Sequence, residues 1–137
     1  MVENEIIEGK IDVVQRNLEF LEEYKNIDEN TFLNSYKDVQ AVKYSLLEII
    51  EACLDIASHI ISARGFERAE SYAEMFDILG RRGIISKELA EKLSDMARFR
   101  NILVHGYAKV DNARVLELVK TELSDVEEFV RQILRKL

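Results

Sequence analysis

Apolar residues return at helical spacing along almost the whole chain. Ile7, Ile11, Val14, Leu18 and Leu21 follow at steps of four, three, four and three, which lines them along one side of a helix expected over residues 3–24. The other side of that helix is rich in glutamate and reads as a solvated face. Residues 26–30 are polar and break the pattern, and a short helical turn begins at Thr31. The longest helix is expected over residues 38–64, capped by Ser35 or Asp38 and stopped at Gly65. Its apolar positions, among them Val39, Val42, Leu46, Ile49, Ile50, Cys53, Ile56 and Ile60, make a stripe too wide for one neighbour. That helix should therefore stand at the centre of a bundle. Tyr72, Met75, Phe76 and Leu79 mark a short helix ending at Gly80 or Gly83. Ser86 caps the next helix, and Asp111 or Asn112 caps a final one carrying Val115, Val119, Val126, Val130, Ile133 and Leu137.

The stripe after Ser86 contains a conflict. Leu89, Leu93 and Met96 run at helical spacing, a further step of four lands on Arg100, and three more reach Leu103. An arginine thus occupies the place of a core leucine. A partly desolvated guanidinium is costly unless something pairs with it, so the chain gives up local consistency here for a purpose.

Composition narrows the class. The 137 residues contain no proline and five glycines, with 47% hydrophobic and 33% charged residues, which favours long amphipathic helices. The expectation is an all-α antiparallel bundle of four to five helices forming one domain over residues 1–137. No basic, apolar leader precedes the first helix and no apolar run is long enough to span a bilayer, so a cytoplasmic protein without a membrane partner is expected. The single cysteine, Cys53, falls on a buried helix face and reads as a small hydrophobe. A formal charge of −7 argues against indiscriminate binding of polyanions. Its distribution changes the picture: residues 1–60 carry 13 acids against 5 bases, whereas residues 61–110 carry 7 against 9. Between residues 97 and 110 lie Arg98, Arg100 and Lys109 and no acid, so contact with a polyanion should be confined to a small cleft.

The chemistry concentrates in the same stretch. Arg98-Phe99-Arg100-Asn101-Ile102-Leu103-Val104-His105-Gly106-Tyr107 brings together two guanidiniums, an amide, an imidazole and a phenol. An imidazole can take or give a proton near neutral pH, a forked guanidinium can hold a phosphate and stabilise transition-state charge, and Asn101 could orient either. Such a set suits metal-independent cleavage of RNA by its own 2′-hydroxyl, and predicts that DNA is left intact. Arg100 and His105 are five residues apart, however, hence about 140° apart around an unbroken helix. Either Gly106 loosens the helix end, or two copies of the motif share one cleft across a two-fold axis. Arg98 lies seven residues before His105, on nearly the same face, and could be a supporting phosphate contact. Asp55 and His59, four apart on the central helix, read as an intrahelical pair or as partners of the motif. With only two histidines and no third ligand at suitable spacing, neither a metal nor another cofactor is expected.

Arg100 through Tyr107 also resembles the Arg-x4-His-x-Tyr motif of HepT-type toxins, a branch of the HEPN superfamily of small helical ribonucleases. The segment from Ile50 to Ile61 resembles the second helix of that family, and the similarity spans nearly the whole chain. The resemblance implies a HEPN-like two-fold homodimer in which both motifs line one groove, with Arg100 and His105 catalytic and Asn101, Arg98 and Asp55 in support. It further implies an RNA-cleaving toxin of a type VII toxin–antitoxin system. Its partner would be a minimal nucleotidyltransferase antitoxin of the HepT/MntA kind, which silences the toxin by transferring AMP to Tyr107. Negative phosphate placed beside Arg100 and His105 would then occupy the seat of RNA phosphate. Two other readings stay open: a non-catalytic nucleotide-binding or docking module for such a nucleotidyltransferase, and a structural bundle whose arginine sits in a polar dimer seam.

Overall fold

The computed structural model describes residues 2–106 and 109–137, with side chains described from Asn4 onward. Among the described residues seven α-helices follow one another: α1 (Val2–Leu21), α2 (Glu29–Leu33), α3 (Tyr36–Ala63), α4 (Tyr72–Arg81), α5 (Lys87–His105), α6 (Asn112–Thr121) and α7 (Leu123–Leu134). One 3-10 turn, Glu22–Tyr24, follows α1. The fold is all-α, as the patterning predicts.

Each start has a local cause. Asp28, Ser35, Ser71, Ser86 and Asp111 all stand in extended backbone, and each side chain accepts a backbone N–H of the helix it precedes. At the head of α3 the cap is Ser35, which takes the N–H of Asp38, so the helix starts ahead of the residue 38 expected from the pattern. The two sharp stops are glycines with positive φ, Gly65 at 65° and Gly83 at 74°. In both, the residue after the glycine returns its N–H to a carbonyl of the last turn, Phe66 to Ile61 at 3.0 Å and Ile84 to Leu79 at 2.9 Å.

The wide stripe of α3 does what its width implies. The helix packs against α1 on one side and against α4 and α5 on another, burying Val42, Leu46, Ile49, Ile56 and Ala57 completely or nearly so. α1, α3, α4, α5 and α7 make up the antiparallel bundle, while α2 and α6 lean on one another and close one end of α3. α4 and α5 approach closely because Gly80 has no side chain: a Cβ there would meet Ala90 Cβ at 2.7 Å. The Ser94 hydroxyl ties the same pair, lying 3.0 Å from the Ala73 carbonyl and 2.7 Å from the Asp77 carboxylate.

One element differs from expectation. The single final helix is two, α6 and α7, divided at Glu122. Thr121 Oγ1 donates back to the Glu117 carbonyl at 2.8 Å, a bond that bends helices, and Arg114 of α6 reaches across to the Glu122 carboxylate at 2.5 Å. The bend lets α7 return along α5 while α6 stays against α2 and α3. No described helix is long and apolar enough to cross a membrane.

Candidate functional site

α5 carries the loaded stretch, and its periodicity sorts the side chains. Leu89, Ala90, Leu93, Met96, Ala97 and Leu103 are buried, and Arg100 lies on that same core-facing side with its side chain 15% exposed. Three helices meet at its guanidinium. Nε donates to Glu51 Oε1 of α3 at 2.5 Å, and the guanidinium carbon stands 4.7 Å from the ring centre of Tyr72, the first residue of α4. Nη1 donates to Asn101 Oδ1 at 3.4 Å. A charge-assisted bond on one edge and a ring against one face make the buried arginine tolerable. The side chain keeps 15% of its surface exposed, and the guanidinium reaches that opening with a planar fork suited to an anion.

His105 is the last residue of α5 and is exposed. The helix does not loosen ahead of it, because the N–H of Gly106 still reaches the Ile102 carbonyl at 2.8 Å. The two side chains therefore diverge by about 140° around one regular helix. Of the two alternatives offered by the sequence, a loosened end at Gly106 that swings His105 toward Arg100 does not describe this helix end. Arg98, one face round from Arg100, is exposed with His105 and Asn101, and pairs with Asp95 at 2.6 Å. Between these polar groups Ile102 is 53% and Val104 40% exposed, which leaves two branched apolar side chains open at the motif's end of the helix. Tyr107 lies outside the described residues.

The carboxylate that meets Arg100 is Glu51. Asp55, one turn further along α3, forms its ion pair with Lys10 of α1 at 3.0 Å rather than with Arg100 or with His59. Four residues advance about 6 Å along a helix, so sharing a face with Glu51 does not give Asp55 the height of Arg100. A signal for Glu51 exists in the sequence: it is the acid inside the apolar run from Ile49 to Leu54, opposite a helix whose own apolar stripe holds an unpaired arginine. Among the described residues no three His, Cys, Asp or Glu side chains converge as they would around a metal ion.

Comparison with known proteins gives the family and the fold. A family model described as ribonuclease HepT-like matches residues 14–133. The chain is 32% identical to the tRNA nuclease HepT of Aphanizomenon flos-aquae, over 96% of this chain and 90% of that protein. It is 29% identical to the mRNA nuclease HepT of Shewanella oneidensis, over 93% of this chain and 95% of that one. Among solved structures, the tri-AMPylated Shewanella oneidensis HEPN toxin in complex with an MNT antitoxin superposes with a TM-score of 0.86 at 28% identity, covering 95% of this chain and 97% of that chain.

Proposed function

Because the chain belongs to the HepT-like ribonuclease family, we propose that it is a metal-independent endoribonuclease toxin whose cleft combines Arg100 of one copy with His105 of another. The observation that carries this reading is the regular end of α5, which turns the guanidinium toward α3 and α4 and the imidazole toward solvent. Within one chain the two groups have no common target, and across a two-fold axis they can have one. Exposed Ile102 and Val104 supply apolar surface for that contact at the same helix end. In the cleft, His105 moves the proton of the 2′-hydroxyl or of the leaving oxygen, while Arg100, with Arg98 and Asn101 beside it, holds the phosphate. The chain's partner is an MNT-type nucleotidyltransferase antitoxin, which adenylylates Tyr107 and fills the phosphate seat with its own negative charge.

The test is cleavage of RNA by the purified protein in the presence of a chelator. Wild type should cut RNA and leave DNA of the same sequence intact, and His105→Ala should lose about 10² to 10⁴ in rate. An unchanged rate in His105→Ala, or cleavage that vanishes on chelation, contradicts the mechanism. Tyr107→Phe should keep cleavage and no longer take up AMP from the antitoxin; continued uptake at one site per chain fewer than wild type, with silencing intact, would move the regulatory residue elsewhere.

A further inference from the structure

Beside Arg100 lies an open recess of about 400 Å³, lined by Ala69, Glu70, Ser71, Tyr72, Met75 and Asn101. That volume is at the lower end of ligand-sized pockets. We propose that this recess is a nucleobase subsite, seating the base of a nucleotide whose phosphate Arg100 contacts. The inference rests on the ribonuclease reading for the source of the base, and binding of a nucleotide can be measured without cleavage.

Four features of the recess fit a base. Tyr72 is 43% exposed, and the Arg100 guanidinium lies over its ring, so an aromatic platform is held in place immediately beside a phosphate-binding group. Its backbone is fixed as well: Ser71 accepts the N–H of Glu74 at 3.1 Å, and the Glu74 carboxylate accepts the N–H of Glu70 at 2.6 Å, two bonds that pin the start of α4. Met75, three residues on, contributes a flat-adapting apolar thioether. Asn101 spends its carbonyl oxygen on Arg100 and keeps its amide N–H groups for the acceptors on a base edge.

Charge sorts what enters. An acidic residue, Glu70, is among those lining the recess and disfavours an anion there, while Arg100 stands beside it on Tyr72 and Asn101. A polyanion therefore meets the site with its phosphate on Arg100 and its uncharged ring in the recess.

The test titrates isotopically labelled protein with AMP, CMP, GMP, UMP and ribose 5-phosphate while amide resonances are followed by NMR. AMP, CMP, GMP and UMP should each bind roughly tenfold more tightly than ribose 5-phosphate, as expected of one stacked base, with the largest shifts at Ser71, Tyr72 and Met75. Tyr72→Phe should retain this advantage, whereas Tyr72→Leu and the recess-filling Ala69→Leu should each reduce the nucleotides to the level of ribose 5-phosphate. Equal binding of ribose 5-phosphate, shifts centred elsewhere, or an undiminished advantage in a folded Tyr72→Leu or Ala69→Leu protein overturns the proposal. The two readings fail separately. Base-dependent binding at Tyr72 in a protein that cuts no RNA removes the ribonuclease and leaves the subsite; cleavage without such binding does the reverse.

Discussion

Arg100 occupies a position where leucine would be buried without penalty, so its neighbours determine how much stability the substitution costs. Glu51 holds Nε at 2.5 Å, but its own side chain is 41% exposed, which moderates the bond through solvent screening. Glu51→Ala should therefore lower unfolding free energy by about 1–2 kcal/mol, read as a shifted urea midpoint, and Glu51→Gln, which keeps an acceptor, should lose less. An unchanged midpoint in Glu51→Ala would mean that the pair contributes nothing. The conflict itself is legible in the sequence, because helical spacing places an arginine among Met96 and Leu103. Its partner is harder to read. Periodicity fixes which face a residue occupies and leaves open which residue of the facing helix stands at the same height, so Asp55 and Glu51 look alike until the helices are packed. Cys53 is the simpler case: 1% exposed, with burial pushing its thiol up to about 12, it should resist alkylation at neutral pH until the protein unfolds. Labelling of the native protein by iodoacetamide at the rate of a free thiol would contradict that burial.

At the scale of elements, caps and stops are local chemistry and are readable one residue at a time. Ser35, Ser71, Ser86, Gly65 and Gly83 each satisfy groups within a turn of themselves. The division of the last helix is not readable this way, since the step from Val119 to Val126 preserves the stripe straight across it. What divides α6 from α7 is a hydroxyl bond and an ion pair to Glu122, and neither alters the hydrophobic pattern. The α4–α5 approach gives a sharper prediction. Gly80→Ala places a methyl group 2.7 Å from Ala90 Cβ and should cost about 1–3 kcal/mol against a small gain in helix propensity. Adding Ala90→Gly should recover part of the loss; a Gly80→Ala protein as stable as wild type in urea would show that the helices separate freely.

For the whole molecule, the charge distribution, the bundle and the site form one argument. An acidic chain of net charge −7 leaves its motif helix with bases and without acids between residues 97 and 110. α3 then supplies the carboxylate and α4 the ring that hold one of those bases in place. Because α5 is regular to His105, the account requires the guanidinium of one copy to work with the imidazole of another. Co-expression of differently tagged Arg100→Ala and His105→Ala chains, followed by purification of the mixed dimer and an RNA cleavage assay, tests that requirement. Each single variant alone should be inactive, and the mixed dimer, which retains one Arg100 and one His105 on opposite chains, should recover about half the wild-type rate. A mixed dimer as inactive as its parents would contradict the shared site.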